Sequence, residues 1–147
     1  MRFARLFWGE RFLQPRLFSI DEANQLLKDL REELSDLKRM QYEARAKYEE
    51  MRGIRELGYR PDGNLIMLSD YQETKREFDQ IVANANRVLK IINERGCRVT
   101  DVEVGLVDFL SEVKGHAVYL CWQKDESQVS YYHGLDEGFA GRRPLPQ

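Results

Sequence analysis

The residues of this chain best equipped for chemistry gather in its last third: Asp108, Cys121, His133, Asp136, Glu137, Arg142 and Arg143. Histidine can act as a base or a metal ligand near neutral pH. The spacing from His133 to Asp136 and Glu137 would let a turn bring two carboxylates to one imidazole, which makes these three the candidate catalytic residues. His133 is also the candidate metal ligand, but a metal site needs three or four convergent donors. Its simpler reading is a strand-end histidine bonded to a carboxylate. Arg142 and Arg143 follow Gly138 and Gly141, where planar guanidinium groups and accessible backbone N–H groups could hold a carboxylate or phosphate. With Asp108 they are the ligand or anion-binding candidates. The competing reading is an internal latch, in which Arg142 or Arg143 pairs with Asp108, Glu137 or a helix carboxylate while Phe139 plugs the core. Cys121, beside Trp122 in a strand-like run, reads as buried and inert, and His116 as solvated. No Gly-rich phosphate loop and no nucleophile-elbow serine occur, and no cofactor is predicted.

The elements that must position these groups begin at Phe18. Ser19 and Glu22 make a capping box, with Phe18 placed to staple onto Ala23. Ala23, Leu27, Leu30, Leu34, Leu37, Gln41, Ala44, Tyr48 and Met51 then alternate by four and three, the seam of a heptad, predicting one helix from Ile20 to about Leu57. Gln41 is its polar member. Pro61-Asp62-Gly63 supplies a turn. A second capping box, Ser69 with Gln72, predicts a helix carrying Tyr71, Thr74, Phe78, Ile81, Ala85, Val88 and Ile92 until Gly96 stops it. Two seamed helices joined by a short link lie antiparallel. After Gly96 the period falls to two, predicting strands near 102–107, 117–123 and 129–132. A four-residue loop, Lys124–Ser127, sets Val118 opposite His133, Leu120 opposite Tyr131 and Trp122 opposite Val129. Gly105 within the first strand predicts a bulge or a close approach by another group. The expected fold is mainly α with a small β part: a basic aromatic arm over 1–17, an antiparallel helical hairpin over 18–96, and a three-stranded antiparallel meander with its tail over 97–147, packed with the hairpin as one domain.

Composition excludes several classes. The 147 residues suit one domain. The 23 basic and 25 acidic side chains give a net charge of -2, which argues against a dedicated nucleic-acid binder. No run holds the ~18 apolar residues of a membrane span. Cys97 and Cys121 are too far apart in sequence for a Cys-x-x-Cys element, and the expectation is a cytoplasmic protein with reduced thiols. The arm carries Phe3, Phe7, Trp8 and Phe12 with four Arg against Glu10 before Phe18. It could fold back on the protein or dock on a membrane surface.

Four stretches together resemble a known family. They are Phe18-Ser19-Ile20-Asp21-Glu22-Ala23-Asn24-Gln25-Leu26-Leu27, Gly105-Leu106-Val107-Asp108-Phe109, Leu120-Cys121-Trp122, and Tyr131-Tyr132-His133 leading into Asp136-Glu137-Gly138-Phe139-Ala140-Gly141-Arg142-Arg143-Pro144. The resemblance is to domain of unknown function family 2203, a group of small bacterial proteins, over about residues 18–144. Leu110 and Tyr132 stand where that family usually has Pro and Trp. The resemblance implies a long hairpin plus a small terminal sheet and implies no activity. From their cap, seam, strand and tail positions Ser19, Glu22, Gln41, Trp122 and Phe139 are read as structural. The leading functional expectation is a non-enzymatic helical interaction module, a coiled-coil-like homodimer through the helical seams. The alternatives are a small-molecule, anion or metal binding protein or hydrolytic enzyme using the C-terminal cluster, and a membrane-surface adaptor through the arm.

Overall fold

The computed structural model describes residues 16–146. The aromatic residues of the arm, and with them the membrane-docking expectation, lie outside the described residues. Ser19 caps helix α1 (Ile20–Gln25) as expected: its hydroxyl accepts the Glu22 N–H, and the Glu22 carboxylate accepts the Ser19 N–H. Phe18 is buried edge-on against Phe109 at 5.3 Å and its N–H donates to Leu110 O at 2.8 Å, so the helix start is tied to the sheet.

The single helix expected up to Leu57 is broken near its start. Leu26 donates its N–H to Ala23 O at 3.1 Å, a tightened three-residue turn, before α2 (Leu27–Glu56) begins. Neither Gly nor Pro marks this break. Asn24 at the turn accepts the Val129 N–H on its Oδ1 at 2.7 Å, a tertiary bond that no local pattern encodes. The third helix, α3 (Leu68–Glu94), starts a residue before Ser69, with Met67 at its cap position and no side-chain cap bond. The expected second capping box is therefore absent. The link instead folds on itself, with Tyr59 bridged to Leu65 and the Ile66 N–H on Gly58 O, and this fixes where α3 begins. Gly96, at φ +97°, ends α3 as expected.

Helices α2 and α3 run antiparallel. Glu33 pairs with Arg95 near one end, Lys47 with Glu77 midway, and Glu50 with Thr74 toward the other. The α2 seam is buried at Leu27, Leu30, Leu34, Leu37, Gln41, Ala44 and Met51. Tyr48 departs from it, 47% exposed and leaning on Phe78 at 6.4 Å between ring centroids. On α3 the seam members Thr74, Ala85 and Ile92 are buried together with Leu89.

Among the described residues the sheet has five antiparallel strands in chain order, not the expected three: β1 (Cys97–Asp101), β2 (Leu106–Val113), β3 (His116–Gln123), β4 (Tyr131–Gly134) and β5 (Arg143–Pro144). The segment read as the first strand is largely the turn between β1 and β2. There Gly105 adopts φ +81°, and a Cβ on it would lie 2.8 Å from Lys124 Cβ, which is the close approach its position implied. Inner-face residues Val99, Val107, Phe109, Leu120 and Trp122 join Leu27, Leu30, Leu34, Leu37 and Ile92 in one core.

The β3–β4 register differs from the expected one by a single residue: Val118 lies opposite Gly134, Tyr119 opposite His133 and Leu120 opposite Tyr132. The connection is longer than four residues, because residues 124–130 close over Trp122, whose Nε1–H donates to Glu126 O at 3.0 Å. Phe139 does not plug the core; it is 45% exposed. The fifth strand holds the tail along the sheet edge, and Leu145 packs on the core instead, its N–H on Ser130 O at 2.9 Å.

Gly105→Ala combines a left-handed backbone with a clash, and we expect it to lower folding stability by about 1–3 kcal/mol. Urea denaturation measures this, and an unchanged midpoint at unchanged slope would contradict the turn geometry.

Candidate functional site

Side chains alternate across a strand, so residues opposite one another in register share a face. Asp108 of β2 lies directly opposite Cys121 of β3, and His133 of β4 lies opposite Tyr119, two residues along from Cys121. All three alternate with core-facing neighbours and therefore point away from the helices. They are buried nonetheless, at 4%, 1% and 2% exposure respectively. Tyr119 flanks His133 with ring centroids 5.8 Å apart, and the Arg98 guanidinium stacks over Tyr119 at 4.4 Å. On the other side Arg142 lies over Tyr131 at 4.2 Å and Phe139 at 4.4 Å.

The donor atoms of Asp108, Cys121 and His133 all lie within 4.8 Å of one another. His133 Nδ1 is 2.8 Å from Gly134 O, a carbonyl that can only accept, so Nδ1 carries the proton and donates it. Nε2 then turns toward Asp108 Oδ1 at 3.2 Å. A carboxylate oxygen and an imidazole lone pair facing each other need a cation between them, either a proton or a metal ion. Asp108 Oδ2 is held at 3.3 Å by Arg98 of β1. Burial pushes the Cys121 thiol up to about 12, and the neighbouring Asp108 carboxylate adds to this. Cys121 is thus a protonated thiol and a poor nucleophile in this state. The second free thiol, Cys97, is also pushed up to about 12 by burial and donates to Ile92 O on the helix side of the sheet.

The remaining candidates fall elsewhere. Asp136 is exposed, and Glu137 accepts the Gly134 N–H at 2.9 Å and pairs with Arg143 at 3.0 Å. The carboxylate on His133 is therefore Asp108, from a strand distant in sequence, and the expected grouping of His133 with Asp136 and Glu137 is not formed. Neither Arg142 nor Arg143 pairs with Asp108; Arg142 pairs with Glu126 at 2.7 Å, both largely buried. Sequence reasoning missed Arg98 and Glu126 as partners. Arg98 alternates with buried Cys97 and Val99, a period-two signal that marks it as outer-facing, whereas Glu126 sits in a loop that carries no such signal. His116 is exposed at the start of β3.

Two outcomes follow for the tail. Arg142→Ala leaves the Glu126 carboxylate largely buried without its cation and removes the guanidinium over two rings. Thermal unfolding should report a loss of about 1–3 kcal/mol that added phosphate does not alter. Unchanged stability would contradict a structural pairing. For Glu137, the Arg143 guanidinium first and the Gly134 N–H second hold the carboxyl below its ordinary 4.5. A lowered folded-state value means that this contact contributes at pH above the ordinary value and is lost as acid passes through the folded one. Titration of the Glu137 carboxyl by NMR should give a midpoint below 4.5 that rises in Arg143→Ala; a midpoint unmoved by the substitution would remove the pairing.

No curated protein and no solved structure matches the chain. A family model described as an uncharacterized conserved protein, DUF2203, matches residues 16–145 and so spans both helices of the hairpin and all five strands. The chain belongs to that family.

Proposed function

We propose that the protein is a non-enzymatic interaction module that works as a homodimer, its hairpin seams shared between two copies. The observation that supports this is where the core stops. The fully buried core reaches Ala44 on α2 and Ala85 on α3, with Phe78 and Ile81 packed against it only partly buried, while the helices continue to Glu56 and back from Leu68. Along that outer half Met51, Ile54 and Leu65 are buried, but Tyr71, Phe78 and Ile81 are only half-buried and Tyr48 is exposed. A seam that continues past its own covering layer suits a second pair of helices, as in a four-helix bundle. The link adds Leu57, Tyr59, Ile66 and Met67, which are exposed large apolar side chains held by the Tyr59–Leu65 bridge. No described helix is long and apolar enough to cross a membrane. Two free buried thiols suit a reducing, cytoplasmic setting.

Light scattering over a dilution series is the test. The expected result is a dimer that dissociates on dilution, with thermal stability rising with concentration. Phe78→Glu, on the half-buried stripe, should shift the mass to that of a monomer while far-ultraviolet helicity is retained. A monomer throughout the micromolar range would overturn the reading.

A further inference from the structure

We infer that Asp108, Cys121 and His133 form a binding site for a divalent transition metal of the zinc class, with at least one coordination position left for water or a small ligand. The three donors come from adjacent strands of one face and converge without any residue reaching across the fold. Two ligands with bonds of ~2.0 Å at a tetrahedral angle stand about 3.3 Å apart. His133 Nε2 and Asp108 Oδ1 stand 3.2 Å apart already. No two donor atoms of the group lie more than 4.8 Å apart, and a side-chain rotation of order 1 Å brings them to bonding distance once a zinc-type ion with its ~2.3 Å sulfur bond enters.

The groups behind the ligands are also placed for coordination. A metal-binding histidine typically gives its other ring N–H to a carbonyl or carboxylate, which fixes the tautomer. Gly134 O does this for His133, and Arg98 on Asp108 Oδ2 leaves Oδ1 turned inward. Charge favours the same conclusion. Asp108 with a Cys121 thiolate carries two negative charges in a buried site, which a divalent ion together with the Arg98 guanidinium more than balances. On binding, the thiol proton and the proton held between His133 and Asp108 leave to the solvent. A sulfur, nitrogen and oxygen donor set suits zinc or cobalt better than magnesium or calcium, which prefer oxygen alone.

Cobalt(II) added to chelator-treated protein is the probe, because a cysteine ligand gives a thiolate-to-metal charge-transfer band in the near ultraviolet. The expected result is that band saturating at one equivalent per chain and reversed by zinc. Cys121→Ser, nearly isosteric, should abolish the band while circular dichroism shows the fold retained, and Cys97→Ala should keep it. His133→Gln should weaken binding by more than the roughly 10–100-fold that loss of a supporting contact costs. Absence of a charge-transfer band at saturating cobalt, or a band that survives Cys121→Ser, would overturn the site. Should His133→Gln fail to fold, the Cys121→Ser result decides alone.

Discussion

The outer face of this protein depends on the pairing register of β2, β3 and β4. Side-chain period along a strand is two, so a slip of one residue transfers every side chain to the opposite face. With Tyr119 opposite His133, the imidazole lies beside Cys121 and Asp108; with Val118 opposite His133, it would point into the helix-facing core among Leu120 and Trp122. The register is held from several sides. Phe109, Leu120 and Trp122 fill the inner face, and the loop after β3 is fixed by Trp122 and Arg142 on Glu126 and by Asn24 on Val129. Burial of large apolar groups on one face therefore determines which polar groups are gathered on the other.

That gathering is electrostatically demanding. A carboxylate, a thiol and an imidazole at under 5% exposure lose most of their hydration, and each must be compensated by a partner. Arg98 and Gly134 O supply part of this compensation. His133 and Asp108, 3.2 Å apart, face each other for the rest. The hairpin has the opposite character: its pairs between Lys75 and Asp79, or Arg52 and Glu56, are exposed and contribute little each, and α2 and α3 are held by the apolar seam. One end of the molecule is thus a long surface, and the other a small polar enclosure.

Much of this was legible in the sequence where the signal is local. The Ser19 and Glu22 box, the Gly96 stop and the α2 seam apart from Tyr48 follow from short-range geometry and match the structure. The family likeness carried by Phe18–Leu27 and the C-terminal run is likewise confirmed by the match over residues 16–145. What was not legible rests on contacts between distant segments. The break at Leu26, the unused Ser69 box and the two-residue strand β5 are set by Asn24 with Val129, Tyr59 with Leu65, and Tyr132 with Arg143. The site is the least legible part, because a four-residue loop places His133 opposite Val118, one position from its partner Tyr119. Sequence spacing offers His133 the nearby Asp136 and Glu137, whereas its partner lies 25 residues upstream at Asp108.

The most direct measurement is the set of cross-strand contacts around His133 in an NMR spectrum of the labelled protein. Backbone contacts between Tyr119 and His133, with the imidazole proton on Nδ1, are the result expected from the register that builds the outer face. Contacts between Val118 and His133 in their place would put the imidazole in the core and contradict the account.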